Sequence, residues 1–89
     1  MDDESNFVVA GLSLLAKVSV EAIGRIIVEA DAEGVVAVAW KARISMRFAV
    51  KLQFCLANVP ATKVLRDPGF GEFPFLDEEM EEILAVYSG

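Results

Sequence analysis

From Val36 to Leu56 every even-numbered position is apolar: Val36, Val38, Trp40, Ala42, Ile44, Met46, Phe48, Val50, Leu52, Phe54 and Leu56. The odd positions between them include Lys41, Arg43, Ser45, Arg47, Lys51 and Gln53. Alternation of this length is what a strand with one buried and one wet face requires. On a helix the same residues would scatter charge around the circumference and set Arg43, Arg47 and Lys51 at repelling i,i+4 positions. The stretch reads as β structure.

The same parity runs backwards through Leu14, Ala16, Val18, Val20, Ala22, Ile26, Val28 and Ala30, with Lys17, Ser19, Glu21, Arg25, Glu29 and Asp31 at odd positions. Two tripeptides ending in glycine interrupt it, Ala22-Ile23-Gly24 and Ala32-Glu33-Gly34. Each suits a three-residue hairpin whose last residue takes the left-handed conformation that glycine adopts without strain. The resulting register sets Glu21 opposite Arg25 and Lys17 opposite Glu29, two favourable cross-strand pairs. Strands are predicted at 14–21, 25–31 and from 35 onward. One straight strand over 35–56 would be ~70 Å long, whereas a compact chain of this length is only about 30 Å across. The strand must therefore curve, bulge or reach into a second chain before Pro60 ends it.

A rival reading makes residues 6–33 one helix, supported by the ladder Lys17, Glu21, Arg25, Glu29. Against it stand the β-branched Val18, Val20, Ile26, Ile27 and Val28, and the fall of Leu14, Val18 and Val28 on its polar side. The strand reading is preferred.

The ends differ in character. Residues 3–13 fit a short helix capped near Ser5. Leu76, Met80, Ile83, Leu84 and Tyr87 form one helical stripe, preceded by Asp77, Glu78 and Glu79, whose charges suit a first helical turn. The expected fold is α+β in one domain over residues 1–89. An antiparallel β-meander of three to four strands, with a long curved strand at 35–56, carries a C-terminal amphipathic helix and a short N-terminal helix.

Composition bounds the function. The chain is 55% hydrophobic with a net charge of −6, which excludes disorder and favours burial between copies. A homodimer is expected, with an apolar strip near Ile27, Ala37 and Ala39 available for self-association. Phe7 to Ala16 is too short to span a bilayer and the opening MDDES is acidic, so neither a membrane nor a signal peptide is expected and the location reads as cytoplasmic. Cys55 is the single cysteine, expected as a buried, inert thiol.

Charge is arranged in blocks. Residues 1–34 hold seven acids and two bases, residues 35–71 six bases and one acid, and residues 72–89 six acids and no base. Lys41, Arg43, Arg47 and Lys51 would share one strand face, able to bind the phosphates of a nucleic acid, although the net negative charge opposes that partner. Phe70, Phe73, Phe75 and Leu76 put four large apolar groups within seven residues, a docking patch if exposed and an end-plug of the core if buried. The C-terminal helix sets Asp77 beside Glu81 and Glu78 beside Glu82, spacing that can hold a divalent cation but more often marks a solvated face. There is no histidine and no phosphate loop or nucleophile elbow, so catalysis is disfavoured and no cofactor is expected. The reading is a non-catalytic protein-interaction module acting through Phe70, Phe73, Phe75, Glu78 and Glu82. A nucleic-acid binder on the basic face is the alternative, followed by a small ligand- or metal-binding protein.

Overall fold

Ser19, Asp31 and Ser45 each stand immediately before a helix and accept a backbone N–H from its first turn. Ala22 donates to Ser19 Oγ at 3.1 Å, Glu33 to Asp31 Oδ1 at 3.1 Å, and Phe48 to Ser45 Oγ at 3.2 Å. Each cap satisfies a donor that the helix cannot pair internally and contributes about 1 kcal/mol. The computed structural model describes residues 3–69 and 71–88. Among them the elements are α1 (Asp3–Ala16), α2 (Val20–Val28), α3 (Ala32–Lys41), α4 (Met46–Cys55) and α5 (Asp77–Ser88), with no strand.

This overturns the α+β meander and its antiparallel sheet. The strands expected at 14–21, 25–31 and 35–56 are helical segments and the turns between them. Gly24 and Gly34, read as hairpin glycines, lie inside α2 and α3. The rival single helix over 6–33 fails as well, because the chain breaks at 17–19 and 29–31. The long alternating run is two ten-residue helices turned on each other, which fits molecular extents of 33 × 27 × 20 Å.

The helix stops lack the usual glycine. Lys17, Ala30, Arg43 and Asn58 hold φ of 58°, 51°, 63° and 54°. At α2 the Asp31 N–H reaches Ile26 O at 3.1 Å and Ala30 N–H reaches Ile27 O at 3.1 Å. At α3 Ile44 N–H reaches Ala39 O at 2.9 Å and Arg43 N–H reaches Trp40 O at 3.0 Å. Both ends are Schellman motifs, built at a strain of roughly 1–2 kcal/mol per non-glycine left-handed residue.

Tertiary burial decides the contest. No charged residue lies between Glu33 and Lys41, so α3 is apolar all round and Gly34 through Ala39 are buried on every side. It packs against α1, α2, α4 and α5. The surrounding helices each give it a stripe: Val9, Leu12 and Ala16 from α1, Ala22, Ile23 and Ile26 from α2, Met46, Ala49 and Leu52 from α4, and Met80, Leu84 and Tyr87 from α5. Full burial of Ile23 or Ile26 is worth roughly 1.5–3 kcal/mol each. Their β-branched penalty in a helix is only about 0.5 kcal/mol, and a like-charge Arg47–Lys51 pair costs about 0.2–0.5 kcal/mol.

Gln53 is the one buried polar residue of the described core, at 0% exposure. Its Nε2 donates to Leu65 O at 2.7 Å and to Ala49 O at 3.3 Å, while Leu65 N–H donates to its Oε1 at 2.7 Å. One side-chain amide thus fastens the irregular segment after α4 to the bundle.

Candidate interaction surface

α1 is apolar on both sides, and only one side has a partner. Val9, Leu12 and Ala16 enter the core, whereas Phe7 and Leu14 are 80% exposed and Leu15 is 62% exposed. Val8 stands beside them at 36% exposure and Gly11 is half-buried between them. Residues spaced i, i+4, i+7 and i+8 share a helix face, so Phe7, Gly11, Leu14 and Leu15 form one continuous uncharged stripe in water. Sequence reasoning missed it because even-position parity sent Leu14 into a strand and left Phe7 on a separate short helix over 3–13, so the two were never placed on one face. The signal was a stretch of ten residues without charge, Phe7 to Ala16, in which no polar face appears.

The surfaces expected from sequence are dispersed by the helical fold. Phe73 and Phe75 are half-buried and pack against the core, while Glu78 and Glu82 are exposed one turn apart on α5. Phe70 lies outside the described residues. The basic set is not a strip. Lys41 ends α3 and pairs with Glu81 of α5, Nζ to Oε1 at 2.6 Å, with its Nζ 5.7 Å from the Trp40 ring centroid. Arg43 occupies the left-handed turn after α3, and Arg47 and Lys51 lie one turn apart on the solvent side of α4. Two of the expected surfaces do meet. A shallow open hollow at the α3–α4 turn is lined by Trp40, Lys41, Arg43, Ile44, Ser45 and Phe73, joining a residue of the aromatic set to two of the basic set. Cys55 is exposed on α4 rather than buried.

A third cluster is structural. Tyr87 O–H donates to Asp31 Oδ2, and the Arg25 guanidinium sits 5.2 Å from the Tyr87 ring centroid. Burial, then the hydrogen bond to Asp31 and the nearby carboxylates of Asp31 and Glu29, holds the Tyr87 phenol well above its ordinary pKa of 10.0, with Arg25 pulling weakly the other way. The phenol therefore stays protonated and serves as a donor. Among the described residues no group of three or more His, Cys, Asp or Glu side chains comes together as metal ligands. None of their helices is long and apolar enough to cross a membrane. No family model matches the chain, and neither a curated protein nor a solved structure matches it.

Proposed function

We propose that the chain is a small non-catalytic protein-interaction module, of the inhibitor, adaptor or assembly-subunit kind, that docks through the outer face of α1. The observation behind this reading is the exposure of Phe7, Leu14 and Leu15 on one uncharged helix face. Large apolar groups gathered in one patch are retained in water where another surface covers them, and aromatic and aliphatic anchors carry most of the energy of such contacts. The Phe73–Phe75 segment is the weaker docking candidate, since both rings already pack on the core. The nucleic-acid alternative has less behind it as well: Lys41 is engaged by Glu81, which leaves Arg43, Arg47 and Lys51 around one end of α4.

The test is partner capture by the immobilised chain from its native host, with wild type compared against a Phe7→Glu/Leu14→Glu variant and a Phe73→Ser variant. The reading expects the α1 variant to lose a captured protein that the Phe73 variant retains. Capture unchanged by the α1 variant rejects the surface. Retention of nucleic acid that falls steeply with salt would support the alternative instead.

A further inference from the structure

The hollow at the α3–α4 turn brings together groups of two kinds. Trp40 and Phe73 give it two half-buried aromatic rings, while Lys41, Arg43 and Ser45 give it two cations and a hydroxyl. Ile44 completes the described lining, and no described carboxylate belongs to it, in a chain that carries 14 acids against 8 bases. Its volume is about 680 Å³. Sites that hold small molecules run to roughly 300–1,000 Å³ and combine apolar and aromatic walls with a few polar groups.

We propose that this hollow binds a small aromatic anion, a planar ring carrying a phosphate or carboxylate group. The ring lies against Trp40 and Phe73, and the anionic group meets Arg43 and the Ser45 hydroxyl. The site is independent of the α1 docking face, since no described residue of α1 lines it.

The donors an anion needs are present and uncommitted. Lys41 is held by Glu81, Nζ to Oε1 at 2.6 Å, but the Arg43 guanidinium has no ion pair or hydrogen bond among the described residues. Ser45 Oγ accepts from the Phe48 N–H at 3.2 Å, and its own O–H has no acceptor among them. A guanidinium presents paired N–H groups that match two oxygens of a phosphate or carboxylate. Arg43 is carried on a turn already fixed in the single chain: its N–H reaches Trp40 O at 3.0 Å, and the Ile44 N–H reaches Ala39 O at 2.9 Å. Little backbone ordering therefore opposes binding. The rings supply the other half of the recognition, since aromatic faces attract a second planar ring. The net charge of −6 repels anions at long range. Salt at physiological strength screens that field over ~8 Å, and the unpaired charge nearest the ligand is Arg43.

Trp40 is the only tryptophan, so its fluorescence and its indole N–H resonance report the hollow directly. At physiological ionic strength, 5′-AMP or benzoate should shift both signals with a dissociation constant on the order of 300 μM, as suits a shallow site. The tighter of the two probes names the anion. Adenosine, a ring without the anion, and inorganic phosphate, an anion without the ring, should each bind at least tenfold more weakly. Arg43→Gly is the decisive variant. The φ of 63° at this residue is one that glycine adopts freely, so the variant should melt no lower than wild type while binding the probe at least tenfold more weakly. Arg43→Lys keeps a charge and should bind better than Arg43→Gly. The proposal is overturned if neither probe shifts Trp40 at about 5 mM, if Arg43→Gly binds as wild type does, or if adenosine binds as tightly as 5′-AMP. A single-stranded oligonucleotide that recruits Arg47 and Lys51 and binds over a hundredfold tighter than 5′-AMP overturns it too, assigning the hollow to nucleic acid.

Discussion

Tyr87 on α5 hydrogen-bonds to the carboxylate of Asp31, whose other oxygen caps α3 through the Glu33 N–H at 3.1 Å. One side chain thus starts the central helix and receives the last helix across 56 positions of sequence. Asp31→Ala removes the cap and strands the buried phenol, so a loss of roughly 2–3 kcal/mol is expected. Asp31→Asn keeps one oxygen to accept from the Glu33 N–H and turns an NH2 donor toward the Tyr87 oxygen, so it should lose about 1 kcal/mol through weaker neutral hydrogen bonds. Urea denaturation of both variants, completed to a double-mutant cycle with Tyr87→Phe, measures the coupling. A coupling energy indistinguishable from zero would remove the pair from the account of stability.

The same pair makes stability fall at high pH. Burial and the Asp31 bond raise the folded-state pKa of Tyr87 above 10.0, so the unfolded chain ionises first. Its contribution is fully present below pH 10.0 and is lost progressively as pH rises beyond that value. Tyr87 is the only tyrosine, so tyrosinate absorbance near ~295 nm reports it alone. Absorbance should rise together with the loss of far-UV circular dichroism, and Tyr87→Phe should flatten stability across this range. Ionisation of Tyr87 well before unfolding would contradict the assignment.

Gln53 offers a local test. Its amide is fully buried and makes both of its long-range bonds to the Leu65 backbone. Gln53→Leu leaves that N–H and C=O without their partners and should cost about 2–3 kcal/mol. Gln53→Glu keeps the acceptor but loses the donor to Leu65 O and introduces a charge at a fully buried position. Because the bond fastens the segment carrying Lys63 and Arg66, trypsin should cleave there faster in both variants than in wild type, ahead of cleavage at Arg25 inside α2. Equal rates at all three sites would mean that the segment is held by other contacts.

The start signals of the helices were present in the sequence. Ser19 is followed two residues on by Glu21, and Asp31 by Glu33, each a cap with an acid in the first turn. Arg25 and Lys41 then fall in the last turns of the same helices. The stops were hidden, because Lys17, Ala30, Arg43 and Asn58 take the left-handed conformation in place of glycine. The two glycines that looked like turns are interior. Parity misled for a related reason: α3 is buried all round, so its alternation of valine with alanine carries no information about faces. In α4 the core takes Met46, Ala49, Leu52 and Gln53, a helical spacing in which the buried Gln53 looked polar and Phe48 and Phe54 looked like core. Most of the C-terminal stripe was legible because α5 is buried on one side, where Met80, Leu84 and Tyr87 enter the core, whereas Leu76, read as its first member, precedes the helix and is 69% exposed. The α1 face was not, since a helix apolar on both sides gives no contrast to read.

The two interior glycines should respond to alanine with opposite signs. At Gly24 a Cβ meets nothing within 4 Å, so Gly24→Ala gains helix propensity alone and should stabilise the chain by about 0.5–1 kcal/mol. At Gly34 a Cβ would lie 2.9 Å from both Cγ1 and Cγ2 of Ile26 and 3.2 Å from Asp31 Oδ2. Ile26 is 1% exposed and β-branched, so it has little room to yield, and movement of Asp31 would disturb both the α3 cap and the Tyr87 bond. Overpacking of this kind typically costs about 1–3 kcal/mol, which exceeds the propensity gain. Thermal and urea unfolding of the two variants should therefore move apart, with Gly24→Ala melting above wild type and Gly34→Ala below it. If Gly34→Ala melted as high as Gly24→Ala, the close approach of α2 to the first turn of α3 would be wrong, and with it the placement of Asp31 beneath Tyr87.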